Sequence, residues 1–358
     1  MTVDGSGFSV ADVVADVGHS FLVADVGHSF RGAFGAFSAV GAVVVSLVMT
    51  CAVARTASAQ DTHLIVITGV EADAQDATQF HKWAAALVDS AKEKSGVADA
   101  NIIYLAHKPD VDPARIRGRS TREDVSEAFA DVAGRAGPND QVFIVLFGHG
   151  SFDGREASFN LPGPDLKAAD YARLLERFGT QRVVFVNTTS SSGGFLAPLA
   201  GPGRTIVAAT KTGGERLDGL FPEYFVEAFT KEAADKNRDG RVSVLEAFEY
   251  AKNKVTQVYQ QKGTIITEHA AIDDGNEGKL ADTMFLESPR ARAAAFASVA
   301  DPALRALLEQ RQALEDQIAA LKVRKASMDA ERYEQELEKL VTDLALKTRA
   351  IQQLEKKK

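Results

Sequence analysis

The sequence predicts a three-layer α/β protein built on a mostly parallel sheet, and three observations carry that reading. Short apolar runs rich in Val, Ile and Phe recur between longer amphipathic segments from residue 62 onward. Two of these runs, Gln141–Phe147 and Arg182–Asn187, are nearly continuous in apolar character, as strands buried on both faces of a parallel sheet are. Five such runs alternating with helical patterns are the signature of repeated βαβ units.

The elements follow in order. His63–Thr68 is the first predicted strand, and residues 77–94 form an amphipathic helix around Trp83 and Leu87. Asn101–Leu105 is the second strand. The helix after it is opened by Ser120-Thr-Arg-Glu123, which has the spacing of a capping box. Gln141–Phe147 is the third strand, and a helix over 165–178 follows Pro162 and Pro164. Arg182–Asn187 and Thr205–Thr210 complete the set of five strands. Residues 221–234 and 244–260 are two further helices, separated by an acidic turn.

The flanks differ from this body. Residues 32–54 carry no charge, follow Arg31 and lead into Ala57-Ser58-Ala59, so that 1–59 has the layout of a secretory signal cleaved after Ala59. An uncleaved membrane anchor is the alternative, since 23 uncharged residues suffice to span a bilayer. Either way the body, 60–288, is expected to be exported, to a periplasmic or extracellular compartment. Val-Ala-Asp-Val-Gly-His-Ser-Phe occurs at 14–21 and again at 23–30, a repeat too short for a solenoid; it points to a start site placed too early or to a recent duplication. The single cysteine, Cys51, falls in the apolar run, so the mature chain is expected to lack thiol chemistry. Residues 289–358 are rich in Ala, Glu, Lys, Leu, Gln and Arg and contain no glycine. Leu307, Leu314, Leu321 and Met328 recur every seven residues, but Arg311 and Lys325 interrupt the seam and its register shifts near Tyr333. The pattern predicts an antiparallel helical hairpin or imperfect coiled coil, with self-association through this helix a possible consequence. With 358 residues and a net charge of −8, the chain lacks the concentrated basic surface that nucleic acid requires.

Two motifs carry chemistry. Asp235-Lys-Asn237-Arg-Asp239-Gly240-Arg241-Val-Ser243-Val-Leu-Glu246 has the twelve-residue spacing of an EF-hand loop. Oxygen side chains stand at positions 1, 3, 5 and 9, Gly240 at 6, and Glu246 at 12, with Arg241 contributing its carbonyl at 7; a structural calcium ion is the expected cofactor. A second acidic cluster, Asp273–Gly278, has Phe285 where the last chelating Glu would stand, which suits a hydrogen-bonded turn better. The other motif is Phe147-Gly-His149-Gly150-Ser151 after one strand and Thr188-Thr-Ser190-Ser-Ser-Gly193 after the next. Histidine and small residues at the carboxyl ends of parallel strands stand where open α/β sheets bind ligands.

With these motifs placed, residues 61–285 resemble the legumain-like cysteine peptidases of the caspase-type α/β fold. In that family one strand ends in His-Gly and the next in an acidic residue followed by Ala-Cys-x-Ser-Gly. The resemblance implies His149 as the base, Gly150 N–H as an oxyanion donor, Ser190 where the nucleophilic cysteine would stand and Thr188 where the family has its acidic residue. A serine hydroxyl must lose its proton to a closely aligned base during attack, whereas a thiol is held as thiolate by a nearby imidazolium. The implied function is therefore an exported pseudopeptidase that binds a peptide or protein partner. The alternative is a hydrolase using Ser190 as nucleophile and His149 as base.

Overall fold

The computed structural model describes residues 60–215, 219–237, 239–275 and 277–355. The expected signal segment and Cys51 lie outside them. Among the described residues no helix is long and apolar enough to cross a membrane.

The body is an α/β fold. Strands β1 (Thr62–Thr68), β2 (Ile102–Ala106), β3 (Gly118–Arg119), β4 (Gln141–Phe147), β8 (Arg182–Asn187), β9 (Arg204–Ala208) and β10 (Ala271–Asp273) form one sheet in the order β10-β9-β8-β4-β1-β2-β3. All neighbours are parallel except β9 and β10. A separate three-stranded antiparallel sheet, β5 (Gly150–Phe152), β6 (Ala157–Phe159) and β7 (Leu166–Lys167), follows β4.

Alternate side chains of the central strands feed two cores. Leu64, Val66, Phe143, Val145, Val184 and Val186 pack against α1 (Ala74–Glu93), α5 (Phe221–Thr230) and α6 (Val244–Lys262). Ile65, Ile67, Val142, Ile144, Val183 and Phe185 face α2 (Arg122–Arg135), α3 (Ala168–Leu175) and α4 (Leu196–Leu199). This double burial is why those strands read as unbroken apolar runs.

Several boundaries depart from expectation for local reasons. Helix α1 begins three residues early because the Asp73 side chain accepts from the amides of Gln75 and Asp76. Helix α2 is capped by Thr121, which accepts from Asp124 N–H; Ser120 instead extends β3 by donating its amide to the Ala106 carbonyl. The helix expected over 165–178 is shorter because Leu166–Lys167 pairs as β7.

At the carboxyl end, α7 (Pro289–Ser298) is followed by α8 (Pro302–Arg324) and α9 (Ala330–Glu355), and the last two pack on each other across a short turn. Ile318, Leu321, Tyr333 and Ile351 are buried there. The chain reverses at 325–329, which accounts for the seam breaking before Tyr333. Helix α8 is held to the body by charge. Glu315, buried, lies 3.2 Å from Arg241, 3.3 Å from Arg311 and 3.9 Å from Arg292, and Lys322 pairs with Asp282.

Candidate functional site

The parallel registers bring the two motif-bearing strand ends to one edge. Thr68 stands beside Phe147 and Leu146 beside Asn187, so Gly148–Gly150 and Thr188–Ser190 leave the sheet side by side. Their approach is close. The Ser190 hydroxyl donates to the Gly150 carbonyl (3.1 Å), and the Gly150 amide points back at the Ser190 hydroxyl oxygen (3.4 Å). A β-carbon on Gly150 would lie 2.0 Å from the Ser190 carbonyl oxygen and 2.6 Å from the Thr189 hydroxyl, so only glycine allows this contact.

His149 is turned to another partner, one absent from the sequence reading. Its Nε2 lies 2.8 Å from a carboxylate oxygen of Asp76, in the first turn of α1. Phe80, one turn further along that helix, stands edge-on to the imidazole with ring centroids 5.2 Å apart. A carboxylate against an imidazole fixes its tautomer and orientation, as in hydrolytic triads. The signal was present in Asp73-Ala-Gln-Asp76, whose first carboxylate caps the helix and sets the second in its opening turn. Nothing in linear spacing links that turn to residue 149.

The hydroxyl-rich turn is largely satisfied from within. Thr188, at the position where the family has an acid, donates to the Leu146 carbonyl (2.7 Å) and is buried. Thr189 donates to the Asn187 side-chain oxygen (2.8 Å). Ser192 accepts from Thr210 N–H (3.1 Å), and Gly193 N–H donates to the Thr210 hydroxyl (2.8 Å). Ser191 takes the left-handed conformation (φ 60°), donates its amide to the Glu215 carbonyl (2.7 Å), and buries its hydroxyl without a partner. A non-glycine residue there costs on the order of 1 kcal/mol and survives only where its surroundings hold it. Ser190 itself is only 5% exposed.

Beside His149 a cavity of about 460 Å³ opens along the same sheet edge, lined by Thr68, Glu71, Phe80, His81, Tyr104 and Lys108 among others. His81 Nδ1 stands 3.3 Å from the Tyr104 hydroxyl and its Nε2 lies 3.5 Å from Asp112. Glu71 pairs with His107 and, at 3.3 Å, with Lys108. Burial raises the Tyr104 phenol above its usual pKa. Phe80 joins this cavity to the imidazole.

Just after β9 the Glu215 carbonyl accepts Ser191 N–H from the serine turn at 2.7 Å, and Glu268 accepts Leu220 N–H at 2.6 Å. Burial pushes the Glu268 carboxyl up to about 7, although the Leu220 and Phe221 amides pull the other way.

The 235–246 loop has the side chains of the expected calcium site but uses them on its own backbone. Asp235 accepts from Asp239 N–H (3.1 Å) and Gly240 N–H (2.8 Å), and Asn237 accepts from Asp239 N–H (2.8 Å). Gly240 takes the turn at φ 84° that its position demands. Glu246 closes a capping box with Ser243 at the start of α6 and also accepts from the amides of Lys236 and Asn237. Burial raises its pKa. Among the described residues no three His, Cys, Asp or Glu side chains draw together as a metal cluster. The donor set, all oxygen and on one short loop, still suits a hard cation. Arg241, at position 7, extends its guanidinium over the Phe285 ring (3.9 Å) toward Glu315. In the second acidic cluster, Asp274 accepts from the amides of Gly278, Leu280 and Ala281, a hydrogen-bonded turn.

The architecture is thus that of a mostly parallel, three-layer α/β protein with its candidate site at the carboxyl edge of the central strands. No protein-family model matches the chain, and no curated protein matches it. Among solved structures, a structural-genomics protein of Geobacter sulfurreducens is similar over 60% of this chain and 92% of its own, at 12% identity and a TM-score of 0.42. The initiator caspase Dronc of Drosophila is similar over 60% of this chain and 79% of its own, at 12% identity and a TM-score of 0.40.

Two outcomes follow from the geometry. Gly150→Ala should lower stability by about 1–3 kcal/mol in denaturant melts, because the new methyl meets a backbone carbonyl that cannot yield. For Glu268, the folded state holds the proton more tightly than the unfolded state does. Its contribution to stability is therefore full at low pH and falls as pH rises from the ordinary carboxyl range through about 7. Glu268→Gln should flatten that part of the stability profile; an unchanged slope would show that another group is responsible.

Proposed function

We propose that the chain is an exported, legumain-like pseudopeptidase, a binding or scaffold protein that keeps a caspase-type frame and takes a peptide or protein segment at the carboxyl edge of its sheet. The observation that carries this reading is the Ser190 hydroxyl, 5% exposed and donating to the Gly150 carbonyl at 3.1 Å. A nucleophile must release its proton toward a base as it attacks, and here that proton is directed at a backbone carbonyl. The cavity of about 460 Å³ beside His149 supplies an apolar and aromatic floor with charged walls, the usual composition of a recognition pocket.

The second reading, a hydrolase with Ser190 as nucleophile and His149 as base, is favoured by the Asp76 contact at 2.8 Å. That carboxylate provides the orientation of the imidazole that serine chemistry requires. Rotation of the Ser190 hydroxyl away from Gly150 would then be needed before proton transfer.

A peptidyl diphenyl phosphonate separates the two. Under the pseudopeptidase reading the wild-type chain is not labelled and cleaves no peptide. Labelling that disappears in Ser190→Ala would establish the hydrolase instead.

The 235–246 loop is proposed to hold a structural calcium ion through Asp235, Asn237, Asp239, the Arg241 carbonyl, Ser243 and Glu246. Support comes from the full set of oxygen donors and from Gly240 in the required conformation. Binding to the folded state alone raises stability with ligand concentration. Calcium should therefore raise the melting temperature, and Glu246→Gln should remove that rise. Glutamine can still serve the capping box, so a lost response reports on the ion and not on the helix.

A further inference from the structure

The opposite edge of the sheet carries a second, larger cavity that the reading above leaves unused. It measures about 700 Å³ and lies between the amino ends of the central strands and helices α7 and α8. Gln141 and Arg182, the first residues of β4 and β8, form part of its floor, with Gln60 just before β1. Pro289, Phe285, Ala293, Phe296, Ala313 and Ala319 supply an apolar wall.

The charges around it do not cancel locally. Arg241 is taken by Glu315 at 3.2 Å, and Arg292 by Glu287 at 3.0 Å. Arg182 differs: among the described residues its guanidinium has no ion-pair or hydrogen-bond partner, although it is half-buried. Burial draws its pKa below the usual value, and Asp316 is the carboxylate that opposes this from a distance. Asp316 is itself bonded to the Gln312 amide at 2.8 Å, and Glu309 at the rim is exposed. Four further polar atoms of lining residues, Gln60 Nε2, Gln312 Oε1 and the Nε atoms of Arg241 and Arg292, are buried without hydrogen-bond partners among the described residues. Leaving a guanidinium partly desolvated and unpaired is costly, and its planar fork matches a carboxylate. The volume lies in the range that encloses a small organic ligand.

We infer that this cavity is a binding site for a small amphipathic monocarboxylate, its carboxylate on Arg182 and its apolar body against Phe285, Phe296 and the alanine face of α8. Such a ligand would bridge the sheet and the carboxyl-terminal helices, so its binding would also hold α7 and α8 to the body.

Calorimetric titration of the full chain with octanoate, octanol and acetate tests the assignment. Octanoate should bind at least about tenfold more tightly than either of the others, since only it offers both a charge-assisted bond and an apolar body. Equal binding of octanol, equal binding of acetate, or no binding of octanoate overturns the proposal. Arg182→Ala removes no internal partner, so the fold should persist while the preference for octanoate over octanol disappears; a retained preference overturns the role of Arg182. Ala319→Trp places an indole in the cavity with Arg182 intact and should abolish octanoate binding. Wild-type affinity in that variant would place the ligand elsewhere.

Discussion

The in-step parallel pairing of β1, β4 and β8 is the constraint on which the rest of the molecule depends. Gln141 stands beside Thr62 and Arg182, and Leu146 beside Ile67 and Asn187, with no stagger between the strands. Because side chains alternate faces along each strand, this pairing commits one set of residues to each core. It also aligns both ends of the strands. His149 and Ser190 emerge together at one edge, and Gln141 and Arg182 begin together at the other. A slip of one residue in β8 would exchange its two buried faces and carry Ser190 away from Gly150.

At the carboxyl edge the chemistry is governed by who receives each proton. Ser190 donates a hydrogen bond to the Gly150 carbonyl, Thr188 to the carbonyl of Leu146, and Thr189 to the side-chain oxygen of Asn187. Three hydroxyls of the run are thereby hydrogen-bonded within the buried turn and its neighbouring strand end. His149, by contrast, is oriented by Asp76 and bordered by Phe80, which also borders the neighbouring cavity. The imidazole is thus tied to α1 through both a carboxylate and an aromatic ring.

The acidic loop and the carboxyl-terminal helices are joined through arginine. Arg241 belongs to the loop, Arg311 to α8 and Arg292 to α7, and all three converge on Glu315. Arg311 also donates to the Asp239 carbonyl at 3.3 Å. A buried carboxylate raised in pKa by desolvation is kept in place by these cations, and loss of any one would leave charge unmatched. The loop therefore lies against the helices instead of standing apart as an independent module.

The sequence by itself determined the α/β class, the bounds of β4 and β8, the hydroxyl-rich turn and the break in the helical seam before Tyr333. Each of these is written in local pattern: buried strands read as apolar runs, and a helix reversal interrupts a seven-residue repeat. What the tertiary structure alone decided is the set of partners. Asp76 meeting His149, Gly150 receiving Ser190 and Arg241 reaching Glu315 join residues 73, 40 and 74 positions apart, and among the described residues the Arg182 guanidinium is left without a hydrogen-bond or ion-pair partner. Spacing along the chain has no term for such distances. They are set by strand order and by which helix covers which face, and these follow from how the whole core packs.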